Sequence, residues 1–302
     1  MNNAPSAGRS CPLCGSNESR LYLQKLDLTL VRCHECGMVF TNNVPTELTG
    51  EYYDSLGEPY YLSPDKLESD YASVRFEREL RLFQQFCREG SVLDVGCSTG
   101  AFLYQLKARG NYTVTGTDIS HPALEYARGL GLDIVGDSFL GHDFRNRKFD
   151  AITFWAVLEH LLEPRRYLNE AALLLKPGGH CFILVPNLTS LAVGLAGTRY
   201  RYIFPQHVNY FTATTLGELA RRENFEIVRR GAMHFNPVVI WQDLCGKGGY
   251  VPDAERAALL KRTTAWKKSA AMKPVKLLYG VAEKLLGALN LADNLFVVLQ
   301  KK

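Results

Sequence analysis

The chain has 302 residues, 46% hydrophobic, 11% aromatic and 22% charged. That is enough for one or two ordinary domains, without the bias of a disordered or collagen-like chain. No apolar run approaches the ~18 residues of a membrane span. The polar start Met1–Ser10 also lacks the order of a secretory signal, so a cytoplasmic location is expected. The net charge of +4 is unevenly placed. Gly246–Lys302 carries 11 Lys+Arg against 4 Asp+Glu, leaving the preceding residues slightly acidic.

The eight cysteines divide into two groups. Cys87, Cys97, Cys181 and Cys245 are scattered and read as free thiols of a reducing compartment. Cys11 and Cys14, then Cys33 and Cys36, form two C-x2-C knuckles, each followed by a glycine that permits the tight turn two thiolates need to share an ion. Short β-prone stretches at Leu21–Leu23 and Thr29–Arg32 lie between them. The pattern predicts a zinc ribbon over residues 1–45, closed by four thiolates and therefore structural, standing in for a core that ~40 residues cannot build. His34 lies inside the second knuckle as an alternative ligand, and a dithiol redox pair is the weaker alternative reading. Residues 46–90 follow as an aromatic linker and first helix. Tyr52, Tyr53, Tyr60 and Tyr61 read equally as a lid that sheds water from a site and as packing between ribbon and core.

From about Asp70 the pattern becomes alternating helices and strands. Phe76, Leu80, Phe83 and Cys87 recur at helical spacing, and a buried strand follows at Ser91–Val95. Helices are predicted at Ala101–Arg109, Pro122–Gly129 and Arg165–Leu175. Strands are predicted at Tyr112–Thr117, Leu132–Val135, Phe149–Phe154 and, after a turn at Lys176–Gly179, His180–Val185. This is an α/β doubly wound, Rossmann-like reading.

The first strand runs into Leu93-Asp94-Val95-Gly96-Cys97-Ser98-Thr99-Gly100 directly before a helix. There, bare main chain and free N–H groups can approach a ligand. Asp118 closes the second strand, where a carboxylate accepts ribose hydroxyls or caps a helix. Asp137 closes the third, near an adenine amino group or simply in a turn. Only Gly96 and Gly100 are present, without the G-x-G-x-x-G of a dinucleotide site, so a nucleoside without pyrophosphate is favoured.

On these residues, with Val157-Leu158-Glu159-His160-Leu161 and Leu175-Lys176-Pro177-Gly178-Gly179, the chain from Asp70 to Lys302 resembles the class I S-adenosylmethionine-dependent methyltransferases. Ser98 stands where that family often has a middle glycine. The resemblance implies sheet order 3-2-1-4-5-7-6 with an antiparallel last strand, Phe225–Arg230 and Asn294–Gln300 as strands six and seven, and a helical insertion at about 231–293. It implies S-adenosyl-L-methionine as cofactor, held by Asp94, Gly96, Cys97, Gly100, Asp118, Ile119, Asp137, Ser138, Trp155 and Glu159. The zinc ribbon before such a core is similar to a bacterial group that includes sugar C-methyltransferases.

Methyl transfer needs nucleophile and methyl in line, water excluded and one base. His207, in Pro205-Gln206-His207-Val208-Asn209-Tyr210-Phe211-Thr212, and His160 are the candidates, their alternative being to brace loops by hydrogen bonds. The Pro205–Thr212 segment resembles the His-containing loop of quinone-biosynthesis O-methyltransferases. In the insertion Val275, Leu278, Val281, Leu285 and Leu289 mark one amphipathic helix with Lys273, Lys276 and Lys284 nearby. Its apolar face is expected on the core or a second subunit, with a membrane surface as the alternative. The expected partner is a small molecule: a sugar, a surface-glycan precursor, a quinone-like lipid or a secondary metabolite. An RNA methyltransferase is disfavoured because the basic surplus is remote from the ribbon. A cofactor-binding scaffold without catalysis is the third reading.

Overall fold

The computed structural model describes residues 8–43, 50–136, 139–246, 248–268 and 273–302. The chain opens with β1 (Ser19–Lys25), β2 (Leu28–Cys33) and β3 (Val39–Thr41), then α1 (Gly50–Ser55), a π-helical turn at Gly57–Tyr61, α2 (Pro64–Asp70) and α3 (Glu77–Phe86). The alternating core follows: β4 (Gly90–Val95), α4 (Ala101–Lys107), β5 (Tyr112–Thr117), α5 (His121–Gly129), β6 (Asp133–Ile134), β7 (Phe149–Trp155), α6 (Pro164–Leu174) and β8 (Leu175–Pro186). Then come α7 (Leu191–Ala196), β9 (Asn209–Tyr210), α8 (Ala213–Arg222), β10 (Phe225–Met233), α9 (Pro237–Cys245), α10 (Asp253–Lys268), α11 (Lys273–Ala288) and β11 (Asn294–Lys301).

The larger sheet has seven strands in the order β10-β11-β8-β7-β4-β5-β6, which is the expected 3-2-1-4-5-7-6. β4 pairs in parallel with β5 and β7, while β11 runs antiparallel between β8 and β10. Two apolar layers cover its faces. One gathers Leu93, Phe149, Ile152, Phe154 and Ile183, and the other Phe83, Val92, Phe102, Ala151 and Phe182. Strands buried on both faces therefore read as continuous apolar runs.

Three local expectations are corrected. Lys176–Gly179 is part of β8, bent at Gly178 (φ 75°), because Leu175 already pairs with Phe149 before the register shifts and resumes at Ala151 and His180. β10 reaches Met233, its ladder with β11 extending to Asn294, so the helical segment starts later than residue 231. That segment forms three helices where one was expected. Val281 and Leu285 of α11, and Leu289 just beyond it, are exposed and do not pack on the core, while the side chains of Val275 and Leu278 lie outside the described residues. The inward side of α11 instead carries Tyr279, which stacks on Phe235, and buried Glu283, ion-paired with Arg78.

The ribbon is not a free-standing appendage. β3 pairs with β9, two residues beyond His207, closing a four-stranded sheet β1-β2-β3-β9. Cys11, Leu13, Val31, Met38 and Phe40 share one apolar cluster with residues of the larger sheet.

Candidate functional site

The four thiols come together as their spacing requires. The Cys11–Cys36 and Cys14–Cys33 Sγ pairs are each 3.5 Å apart, and all four sulfurs lie within 4.8 Å of one another. A tetrahedron of Zn–S bonds asks for sulfurs about 3.8 Å apart. Each knuckle closes through a glycine amide, Gly15 to the Cys11 carbonyl at 2.9 Å and Gly37 to the Cys33 carbonyl at 3.1 Å. Both glycines have positive φ, 80° and 72°, which is why the residue after each knuckle is glycine. Burial pushes the Cys11 thiol up to about 11 and that of Cys36 up as well, a cost that a bound dication removes. His34 is exposed and is not a member of the four-sulfur cluster.

At the carboxyl end of β4 the main chain turns sharply. The amides of Gly96 and Cys97 donate to the Thr117 carbonyl at 2.8 and 3.0 Å, pinning the loop to β5. Gly96 has φ 74°, and a Cβ there would sit 2.6 Å from Val157 Cγ2. Gly100 has φ 80° and opens α4, and its Cβ would meet Leu132 at 2.4 Å. Ser98 adopts φ 51° where the resemblance predicts glycine. Asp118 holds the turn: its carboxylate accepts from the Ser98 amide at 2.8 Å and the Ser120 amide at 3.0 Å. Asp94 lies below, buried, accepting from the Thr153 hydroxyl at 2.5 Å, and burial raises its pKa to about 7.

Other expected residues separate by direction. Ile119 is exposed at the β5 edge. Cys97 projects into the core under the loop, where a Cβ on Gly116 would touch its sulfur at 2.7 Å, leaving only its main chain at the turn. Trp155, at the end of β7, packs its ring against Phe102 (5.3 Å between centroids), and its buried Nε1 has no partner among the described residues. Asp137 and Ser138 lie outside the described residues.

The loop after β7 is clasped to the His207 loop. The amides of Val208 and Asn209 donate to the Glu159 carbonyl at 2.8 and 3.0 Å, and Asn209 Nδ2 donates to the carbonyls of Leu158 and Leu161. The rings of His160 and His207 meet edge to face at 4.7 Å. Burial lowers the pKa of His160 to about 4 and that of His207 well below the ordinary value, and raises that of Glu159 to about 8. Both imidazoles are therefore neutral at pH 7.

The tyrosine segment lies over this edge. Tyr53 and Tyr61 lie within electrostatic reach of Asp118, and Tyr53 also of Glu159. Gln206 donates to the Tyr52 hydroxyl. Sequence reasoning missed Arg256 of α10, whose guanidinium sits over the rings of Tyr60 and Phe204 at 5.5 and 4.8 Å. It also missed the pairing of β3 with β9. The first comes from a helix with little amphipathic pattern, and the second from a strand too short to show any.

Residues 70–230 match a family model described as a methyltransferase domain. The chain belongs to the methyltransferase-domain family. Among curated relatives, a ubiquinone biosynthesis O-methyltransferase of Yersinia pestis (strain Pestoides F) is 31% identical over 148 residues, which is 44% of this chain and 61% of that protein's length. Among solved structures, N-methyltransferase NodS from Bradyrhizobium japonicum WM9, in complex with S-adenosyl-L-homocysteine, has a TM-score of 0.50 at 16% identity, covering 82% of this chain and 98% of that one. The [4+2]-cyclase SpnF has a TM-score of 0.55 at 17% identity, covering 86% and 98%. These likenesses place the larger sheet in the class I S-adenosylmethionine-dependent methyltransferase fold. In this methyltransferase domain the residues at the carboxyl edge fit such a cofactor. Ser98 Oγ, Trp155 Nε1 and Glu159 Oε2, beyond the ends of β4 and β7, are buried polar atoms with no partner among the described residues.

Proposed function

We propose that the chain transfers a methyl group from S-adenosyl-L-methionine to a small molecule: a sugar, a surface-glycan precursor, a quinone-like lipid or a secondary metabolite. One observation carries this reading. The glycine turn braced by Asp118 and two neutral histidines with Glu159 stand at the same carboxyl edge, under a cover of tyrosines. When bound, the cofactor supplies a methyl on a sulfonium, a leaving group already activated.

In this reading Asp118 and Ile119 bind the ribose and adenine side, with Asp137 and Ser138 beyond them. Asp94, the main chain of Gly96, Cys97 and Gly100, Trp155 and Glu159 frame the methionyl side. Tyr53 and Tyr61 exclude water. His207, with His160 as second candidate, receives the acceptor's proton; burial keeps its lone pair free across the neutral range. The four cysteines hold structural zinc in a ribbon over residues 1–45, residues 46–90 form the cover, and residues 91–302 carry the transfer chemistry.

The relatives favour a small acceptor: the curated one is named for ubiquinone biosynthesis. A nucleic-acid acceptor has less support, because Lys261 is paired with Asp65 and Glu68, and Arg256 with Asp253, instead of forming an open basic face. Among the described residues no helix is long and apolar enough to cross a membrane. The exposed row Val281, Leu285 and Leu289, beside Lys284, supplies a contact face for a second copy or a membrane surface.

The test is calorimetry of the zinc-loaded chain with S-adenosyl-L-homocysteine, followed by tritiated methyl transfer to panels of catechols and nucleotide sugars. Absence of cofactor binding by folded protein overturns the reading. Binding with labelled product, depressed at least about 100-fold in His207→Ala, is the expected result.

A further inference from the structure

A permanent cation stands beside the two histidines with no part in the scheme above. Arg256 lies in the first turn of α10, and its guanidinium rests on the rings of Tyr60 and Phe204. The Phe204 ring is in turn 4.3 Å from that of His207, so one aromatic ring separates Arg256 from the candidate base. Both histidines lie within its electrostatic reach. Tyr202, stacked on His207 with 6.2 Å between centroids, is 38% exposed, yet burial raises its pKa. A ring that is open but desolvated faces an enclosed recess instead of bulk water. Arg256, Tyr60, Tyr202, Phe204 and the histidines thus surround one space next to the proposed methyl acceptor position.

The guanidinium is only partly engaged. Its Nη1 donates to Asp253 at 2.9 Å, while Nε and Nη2 have no partner among the described residues. Lys66, which also lies over the Tyr60 ring, is by contrast buried together with its partner Asp70. An ion pair between residues three apart on a helix needs no burial. Drawing this one in among aromatic rings removes hydration from a charge, which a single carboxylate and two ring faces return only in part. The free edge of the planar fork matches two oxygens of one anion.

We propose that Arg256 sets acceptor specificity, binding a carboxylate or phosphate group that the acceptor carries about one ring's width from the atom to be methylated. This rests on the methyl-transfer reading above and narrows it: acidic acceptors are favoured over neutral lipids and neutral sugars. Tyr60, Tyr202 and Phe204 give flat apolar faces on which an aromatic or sugar ring between the two groups can lie. Asp253 holds the guanidinium by one nitrogen and so aims its other edge. α10 brings this cation to the site, which gives the helical segment before β11 a part in choosing the acceptor.

The experiment is calorimetry on the full, zinc-loaded chain saturated with S-adenosyl-L-homocysteine. The probes share a catechol ring and differ in charge: protocatechuate, the matching catechol phosphonate, and the uncharged amide of protocatechuate. At least one anion should bind about 10- to 100-fold more tightly than the amide, the ratio that hydrogen bonds to a charged group supply. Which anion does so distinguishes carboxylate from phosphate. Arg256→Met should abolish the ratio, and Arg256→Lys, which keeps the charge without the fork, should retain part of it. S-adenosyl-L-homocysteine affinity should be the same in both variants and reports that they are folded. An amide that binds the wild type as tightly as both anions overturns the assignment. So does the absence of binding by either anion up to millimolar concentration, or an anion preference that survives in folded Arg256→Met. Failure of the wild type to bind S-adenosyl-L-homocysteine overturns the methyl-transfer reading instead, whatever the anions do.

Discussion

Stripping the ribbon of zinc should loosen the His207 loop, although the nearest cysteine is far from it in sequence. The perturbation is Cys33→Ser, or chelation of the wild-type protein. β3 begins three residues after Cys36 and grips the loop directly. The Thr41 amide donates to the Val208 carbonyl at 3.0 Å, the Thr41 hydroxyl to the His207 carbonyl at 3.2 Å, and Val39 pairs with Tyr210. At about 1 kcal/mol net for each such link, their loss lowers the opening free energy of the loop by about 3 kcal/mol. Local opening should then be roughly 100-fold more frequent. Hydrogen exchange followed by mass spectrometry over residues 204–212 reads this without any acceptor. The bonds from Val208 and Asn209 to Glu159 do not involve the ribbon, so residues 157–161 should change less. Peptides from the cysteine knuckles that exchange faster while 204–212 stays at its original rate would refute the coupling.

Asp118→Ala should weaken S-adenosyl-L-homocysteine binding by about 1.5–3 kcal/mol in calorimetry, the range for hydrogen bonds to a charged group, because the change removes a carboxylate that also braces the Ser98 and Ser120 amides. Gly96→Ala should lower thermal stability, because left-handed backbone costs an L-residue about 1–2 kcal/mol and the new Cβ meets Val157; an unchanged melting temperature would count against the tight turn. Asp94 gives a pH prediction. Its folded pKa of about 7 lies above the ordinary carboxylate value, so its contribution to stability is complete below about pH 4 and is lost as pH rises through 7. The neutral, buried His160 and His207 contribute in the opposite direction, being protonated more readily in the unfolded chain below about pH 6.5. Asp94→Asn should therefore make unfolding free energy, measured in denaturant without ligand, rise more steeply from pH 5 to 7 than in the wild type. Parallel curves would show that Asp94 is not buried against its charge.

Five strands of the larger sheet, β4 to β8, were legible because each announces itself locally, whereas β10 and β11 followed from the resemblance alone. Leu93–Val95 ends in glycines that only a sharp turn requires, and Thr117-Asp118 ends a strand at the matching edge. Where pairing partners are distant, that signal disappears. β9 is two residues long, and no periodicity marks Asn209–Tyr210 as the strand that seats on Val39 and Phe40. The charged pair Arg78–Glu283 shows the same blindness. A glutamate inside a helix reads as solvated, yet Glu283 is the face by which α11 docks, while Val281 and Leu285, apolar by composition, stand outward. Side-chain direction was equally hidden for Cys97, which lies in the expected loop but points down against Gly116.

What the sequence showed as two modules shares one apolar cluster. The cluster that buries Cys11, Met38 and Phe40 also buries Leu93, Ile152 and Ile183 beneath the cofactor edge. A ribbon that merely tethered the chain would not need to place a strand against the loop carrying His207. Its position is accounted for if the thiolate-bound ion supplies the rigidity that a loop from Tyr200 to Thr212 cannot generate itself. This loop holds no regular element longer than β9, and is also held by Glu159, by Leu188 through Phe211, by the buried Arg201–Asp243 pair and by the helix cap at Thr212. In that reading the edge-to-face placing of the two histidines beside Glu159 draws on the knuckles, through β3, as well as on the larger sheet.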